Sequence, residues 1–119
     1  MTIACRGLRG ATTAEENTKA AIFKATEELL TSMLQTNDIH TSDIAAVFFT
    51  TTTDLNDAFP AAAARQMGWN TVPLMCSHEM QVPGALAMCI RVMILVNTTK
   101  SQEQISHIYL RDAVNLRNT

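Results

Sequence analysis

The sequence predicts an α+β domain in which one β-sheet is covered by one long helix. Three observations lead to this class. The chain has 119 residues, of which 47% are apolar, which suits one domain spanning residues 1–119. One long stretch places apolar residues at helical spacing. Several short runs have the alternation or the β-branched composition of strands.

The first half of the chain predicts a strand, a long helix and a second strand. The first predicted strand covers Thr2–Leu8, and Gly10 marks the point where the extended segment stops. The segment Thr13-Ala14-Glu15-Glu16 has the T-x-x-E pattern of a capping box, so we expect a helix from Ala14 to Gln35. A β-branched and aromatic run predicts the second strand at Ile44–Thr51. Apolar or small residues recur along the helix at three- and four-residue spacing: Ile22, Phe23, Thr26, Leu29, Leu30, Met33 and Leu34.

The second half predicts a short helix and three strands, in the order β-α-β-α-β-β-β overall. Pro60 lies near the first turn of the short helix and Gly68 ends it. The clearest strand is Cys89–Val96, in which Ile90 and its alternate neighbours are apolar. We expect the polar C-terminal tail to fray. The remaining predicted elements are a strand at Thr71–Cys76, a helical turn at Gly84–Met88 and a strand at Ser106–Leu110.

The composition excludes several classes of protein. Nine Lys and Arg residues face eleven Asp and Glu residues without a basic run, so a nucleic-acid partner is not expected. The longest apolar run, Val92–Val96, is far below the roughly 18 residues of a membrane span. The N-terminus lacks the apolar core of a signal peptide. Three cysteines, an odd number, favour a reducing cytoplasm without a disulfide framework.

Two details of the charge composition point to an oligomer that binds anions. Charged residues make up 17% of the chain, against about 25% in soluble domains, so we expect part of the surface to be buried against other copies of the chain. The alternative is a rather apolar monomer. Six of the nine cations are arginines. Arginine favours bidentate recognition of carboxylates or phosphates.

Arg91 is the most informative single residue, because its neighbours along the strand are apolar. Its guanidinium is either paired in a structural salt bridge or lines a pocket, since an unpaired buried charge is very costly. The sequence Cys76-Ser77-His78-Glu79 follows a strand. It has no second Cys/His cluster at zinc-like spacing, so no metal is predicted. Glu79 is either an anchor for a substrate hydroxyl or an exposed loop carboxylate.

The remaining candidates are weak when taken singly. Arg6-Gly7-Leu8-Arg9-Gly10 lacks the spacing of a phosphate-binding loop but places two guanidiniums near a turn. Arg65 and Arg117 could be solvated cations. Tyr109 could simply pack in its strand.

Five strings in order resemble the AroH-type chorismate mutases, the trimeric bacterial family. They are RGLRGATT (6–13), TDLNDAFPA (53–61), GWNTVPLMCSHEM (68–80), CIRVM (89–93) and HIYLRDAVNLR (107–117). The resemblance implies one mixed sheet with one long and one short helix, assembled into a homotrimeric pseudo-barrel with clefts between subunits. It also implies conversion of chorismate to prephenate by a [3,3] pericyclic rearrangement, without a cofactor or a covalent intermediate.

The resemblance assigns roles to particular residues. Arg91 would contact the ether oxygen, and Arg9 and Tyr109 the carboxylates. Glu79 and Cys76 would hold the ring hydroxyl. One chain would supply Phe59, Arg65, Leu74, Cys76 and Glu79, and its neighbour Arg9, Arg91, Tyr109 and Leu116. The other substrate-binding residues would be Ala61, Met75 and the entrance residue Arg117.

One position departs from the family, because Ala62 stands where a lysine is frequent. Arg65 or a tail arginine could compensate. Two alternatives to the mutase remain at this point: a non-catalytic trimer that binds a small carboxylate, and an imine or enamine hydrolase. The hydrolase would need a general base for water, and none is evident in the sequence.

Overall fold

A mixed five-stranded sheet forms the centre of the computed structural model, which describes residues 2–118 and the side chains of residues 2–116. The strand order is β3-β2-β4-β1-β5. Strand β4 is antiparallel to β1 and β2, whereas β3 and β5 are parallel to their neighbours. The strands are β1 Ala4–Thr13, β2 Ile44–Thr51, β3 Leu74–His78, β4 Cys89–Thr98 and β5 Ile108–Tyr109.

One long and one short helix accompany the sheet. Helix α1 covers Lys19–Asn37 and helix α2 covers Pro60–Gln66, with Pro60 in the first turn, where its missing N–H costs nothing. Short 3-10 helices lie at Thr41–Asp43, Gln102–Gln104 and Arg111–Asn118. The predicted α+β class, with a single mixed sheet and these two helices, is confirmed.

The two faces of the sheet differ, and this difference positions the candidate site. On the helix-facing side, alternate residues of β4 are buried in the core: Ile90, Val92, Ile94 and Val96. The residues between them face the opposite side, which we call the open face. There Arg91 pairs in register with Thr50 of β2, and Met93 pairs with Phe48. The predicted alternation of this strand therefore separates core from site.

The predicted start of the long helix is wrong. Strand β1 pairs with β4 over ten residues and continues to Thr13, so Thr13 is a strand residue and not a helix cap. The helix begins at Lys19, and the side chain of Thr18 accepts a hydrogen bond from the Ala21 amide at 3.1 Å. A long ladder of strand hydrogen bonds has overridden a local capping pattern.

Other parts of the chain also differ from the predictions, among them the last strand, which is confined to Ile108–Tyr109. Strand β3 begins at Leu74, directly after Pro73, which lacks the N–H to extend the ladder. The expected helical turn at Gly84–Met88 is absent, because the φ angles of Gly84 (+81°) and Met88 (+55°) are left-handed. The tail, expected to fray, forms a 3-10 helix instead.

Candidate active site

A cavity of about 280 Å³ lies on the open face of the sheet. Five residues singled out in the sequence meet there although they come from distant parts of the chain: Arg9, Glu79, Arg91, Tyr109 and Leu116. The cavity is also lined by Gly10, Ala11, Phe48, Thr50, Val92 and Met93. Its walls therefore combine apolar surface with two guanidiniums, one carboxylate and one phenol.

Arg91 both forms an ion pair and lines this cavity, so the two alternatives raised by the sequence hold together. Its Nε lies 3.4 Å from Oε2 of Glu79, while 46% of its side chain stays exposed. An ion pair of this exposure leaves donors of the guanidinium free to meet a ligand. Arg91 is thus not sequestered by Glu79.

Within one chain, Glu79 lies beside Arg91, whereas the resemblance implies that the two residues come from different subunits. Strand β2 brings the two together, because it pairs with β4 at Arg91 and with β3 at His78. The amide of Glu79 donates to Thr51 O at 2.8 Å, which holds the residue at the end of β3. Glu79 therefore lines the same cavity as Arg9, Arg91 and Tyr109.

Thr50 is a functional candidate that sequence reasoning missed. Its hydroxyl donates to Glu79 Oε2 at 2.5 Å, and its side chain lines the cavity. This hydrogen bond fixes the carboxylate in the orientation that also reaches Arg91. The alternation of β2, in which Thr50 and Phe48 point away from buried Phe49, is the signal that could have identified it.

Arg9 reaches the cavity from the middle of β1, and its backbone is tied to His107. The Arg9 amide donates to Nδ1 of His107 at 3.0 Å. Burial lowers the pKa of His107, and the nearby charge of Arg9 lowers it further. Since a protonated Nδ1 cannot accept a hydrogen bond, this contact requires the neutral imidazole.

Tyr109 and Leu116 enter the cavity from the C-terminal end of the chain. Tyr109 pairs with Ala11 at the edge of the sheet, and Leu116 lies in the 3-10 helix that follows. Arg111, between them, makes ion pairs with Glu15 and Glu28, each at 3.1 Å. These ion pairs join the C-terminal segment to α1 and to the loop before it.

Phe59 and Cys76 line a second cavity, of about 330 Å³, together with Pro60, Ser77 and His78. Cys76 packs against the core on the helix-facing side of the sheet. Burial raises the pKa of its thiol, with smaller opposing effects from the Ala61 backbone and from Arg65. The thiol is therefore neutral near pH 7, which does not favour a nucleophile. Within one chain, this group does not share a cavity with Arg91.

The other predicted site residues occupy varied surroundings. The side chain of Ala61 is buried in α2, whereas Arg65 of the same helix is exposed. Leu74 packs partly against the core, and Met75, with 63% of its surface exposed, lies on the edge strand β3. The side chain of Arg117 lies outside the described part of the structure.

Among residues 2–118 we find no group of three or more His, Cys, Asp or Glu side chains placed to hold a metal ion. Within the same range, none of the helices combines the length and the apolar character that crossing a membrane requires. The three cysteines are free thiols. The cavity on the open face offers charge and shape, and its cations suit a ligand that carries carboxylates.

Comparisons with known proteins place this geometry in a family. Residues 5–119 match the family model of chorismate mutase type I. The chain is 53% identical over 113 residues to chorismate mutase AroH of Thermus thermophilus, covering 94% of this chain and 93% of the relative. It is 43% identical to chorismate mutase AroH of Bacillus subtilis strain 168, covering 94% and 89%.

A solved structure supports the same assignment. The chain superposes on a chorismate mutase from Clostridium thermocellum with a TM-score of 0.89 and 48% identity, covering 90% of this chain and 96% of that one. The match in sequence and in fold extends over nearly all of the chain. The resemblance found in the sequence is therefore confirmed: the chain belongs to the chorismate mutase type I family.

Proposed function

We propose that this chain is a chorismate mutase that converts chorismate to prephenate on the route to phenylalanine and tyrosine. Its residues 1–119 would act as one domain, in the cytoplasm and without a cofactor. The single observation that carries the proposal is the convergence of Arg9, Glu79, Arg91 and Tyr109 on one cavity. A dicarboxylate substrate accounts for the two guanidiniums in a chain of net charge −2.

The proposed mechanism needs restraint and complementary charge rather than a nucleophile. As the C–O bond of chorismate stretches, partial negative charge collects on the ether oxygen, and the ring becomes partially positive. A fixed Arg91 guanidinium beside that oxygen stabilises the transition state more than the ground state. Glu79, oriented by Thr50, stabilises the opposite charge on the ring. The neutral thiol of Cys76 is consistent with a reaction that forms no covalent intermediate.

The apolar walls contribute by holding the substrate in a compact, chair-like form. Phe48 and Met93 lie on the open face and line the cavity, and Leu116 reaches it from the C-terminal segment. Positioning of this kind can supply a large share of a rate enhancement, up to roughly 7–11 kcal/mol for well-oriented groups. The Arg9 guanidinium and the Tyr109 hydroxyl would orient the carboxylates.

We further propose that the complete site forms between subunits of a homotrimer. One chain would supply the group that includes Arg91, and its neighbour would supply Phe59, Arg65, Leu74, Met75 and Cys76. Two features support this arrangement. Large apolar side chains are exposed, among them Phe59 at 68% and Phe48 at 40%. In addition, Phe59 and Cys76 line a cavity that is separate from the one lined by Arg91. The exposed Arg65 could take the place of the lysine that Ala62 replaces.

Turnover of chorismate by the purified protein tests the proposed activity. We expect chorismate to disappear and prephenate to appear in equal amounts. Binding of a transition-state-like dicarboxylate without any turnover would reject the mutase and favour a carboxylate-binding trimer. Arg6→Lys serves as the matched control, because Arg6 donates to Lys100 O at 3.0 Å and is absent from the residues that line the cavity.

Mixed trimers test the shared site directly. We propose two variants that each inactivate a different half: Arg91→Ala, and Phe59→Asp, which places a repelling carboxylate on an exposed position. When the two are co-expressed with different tags and the trimers that carry both tags are purified, about one in three of their clefts receives two intact halves. We expect the purified mixed trimers to regain activity toward that fraction. Activity no higher than the sum of the two homotrimers would contradict a site between subunits.

A further inference from the structure

The C-terminal segment carries two side chains of the cavity but has few backbone ties to the sheet. Strand β5 is two residues long and pairs only at Gly10 and Ala11. The Leu110 amide adds a hydrogen bond to Ala11 O at 2.9 Å. Two-residue pairing at a sheet edge holds a segment weakly. Other contacts must therefore contribute to keeping Tyr109 and Leu116 against the cavity.

Arg111 supplies such a contact at the point where the chain turns from β5 into the 3-10 helix. Its Nε and Nη2 donate to the two oxygens of Glu28 at 3.1 and 3.3 Å. Its Nη1 donates to Glu15 at 3.1 Å. The planar guanidinium thus makes a bidentate contact with α1 and a further contact with the loop before it.

The backbone at Arg111 shows that this position is determined by its surroundings. Its φ angle is +52°, a left-handed conformation that is uncommon for a residue other than glycine. Such a conformation persists where surrounding contacts compensate for it. The next residues add to these contacts: the Asp112 amide donates a hydrogen bond to Thr13 Oγ1 at 3.3 Å, and the Ala113 side chain is fully buried.

We propose that Arg111 is a positioning residue for the mutase reaction. Its ion pairs with Glu28 and Glu15 fix the start of the 3-10 helix and so hold Tyr109 and Leu116 at the cavity before substrate arrives. This inference rests on the proposed function. Arg111 is absent from the residues that line the cavity, so its effect is indirect. The gain is preorganisation, because a segment already in place loses less conformational freedom on binding.

The expected kinetic effect lies in KM rather than in kcat. If the segment is in place only part of the time, the apparent affinity for chorismate falls by that fraction, while bound substrate reacts as before. For partly exposed ion pairs of this kind we expect Arg111→Ala to raise KM about 3- to 20-fold, with kcat changed less than about twofold. Arg111→Lys, which keeps the charge but cannot form the fork, should fall between the wild type and Arg111→Ala.

A double-mutant cycle separates positioning from general stability. Arg111→Ala and Glu28→Gln remove the same contact, so their effects on KM should be less than multiplicative when combined. Arg6→Ala is the control, since it removes an arginine that contacts Lys100 O away from the cavity. Unchanged KM in both Arg111→Ala and Arg111→Lys, or fully multiplicative effects with Glu28→Gln, would overturn the proposal.

Amide hydrogen exchange gives a readout that does not depend on turnover. In the ligand-free Arg111→Ala protein, we expect faster exchange in residues 109–116 and unchanged exchange in the rest of the sheet. Wild-type exchange in that segment would overturn the proposal, and so would faster exchange throughout the protein. If the wild type does not convert chorismate, the proposed function fails, but this exchange measurement still decides whether Arg111 holds the segment.

Discussion

Replacing Arg91 by lysine should separate activity from stability. Lysine retains the positive charge but loses the planar set of donors that the arginine presents beside Glu79. Loss of one oriented donor to a developing oxyanion costs about 10²- to 10³-fold in kcat, or about 2.7–4 kcal/mol. We therefore expect kcat for chorismate to fall by about that factor.

The free energy of unfolding should hardly change in the same variant. The side chain of Arg91 is 46% exposed and its ion pair with Glu79 spans 3.4 Å, so the pair contributes only about 0–1 kcal/mol. Urea unfolding of wild type and Arg91→Lys should give midpoints that differ little, with Arg6→Lys as the control for both assays. Turnover close to the wild-type value would refute the role of Arg91. A fall in activity that matched a large loss of stability would refute the separation.

Three further predictions concern other parts of the site. Cys76→Ser should keep most of the activity, because burial holds the thiol neutral; inactivation of a folded variant would indicate covalent chemistry. Because the pKa of His107 is lowered on folding, its contribution to stability is present above about pH 6.5 and is lost as the pH falls below it. The urea unfolding midpoint of the wild type should therefore fall as the pH is lowered below about 6.5, and this fall should be smaller in His107→Asn. An equal fall in both proteins would contradict the role of His107. A Cβ on Gly10 would lie 2.5 Å from Sδ of buried Met33, whereas a Cβ on Gly7 would meet nothing closer than 3.5 Å. Gly10→Ala should therefore lower the free energy of unfolding, measured in urea, by about 1–3 kcal/mol, and Gly7→Ala should lower it less. Equal losses would argue against tight packing at Gly10.

Patterns of neighbouring residues predicted those helices and strands that depend mainly on the spacing of their own apolar side chains. The alternation in Cys89–Val96 identified β4 and set Arg91 apart from the core, as the burial of its neighbours bears out. The apolar spacing of α1 predicted its buried face. The start of α1 could not be predicted from Thr13, because the pairing of β1 with β4 depends on residues about eighty positions away in the chain.

Which residues meet at the cavity depends on contacts between distant parts of the chain, and a short stretch of sequence does not reveal these contacts. The position of Glu79 beside Arg91 follows from the registers of β2 with both β3 and β4. The roles of Thr50 and Arg111 follow from hydrogen bonds that span 29 and 83 residues. The resemblance to chorismate mutases named Arg9, Glu79, Arg91 and Tyr109, which line one cavity, but it did not predict that Glu79 pairs with Arg91 within one chain.

A nuclear magnetic resonance time course in D₂O tests the mutase mechanism most directly. Chorismate is incubated with the purified protein, and substrate and product are followed together. A concerted rearrangement transfers no proton to or from solvent, so we expect prephenate in an amount equal to the chorismate lost, with no deuterium at its ring carbon atoms. The side-chain CH₂ is left out of the test, because it lies beside a ketone and exchanges with D₂O on its own. Unchanged chorismate, cleavage into two fragments, or deuterium at the ring carbon atoms of the product would contradict the account.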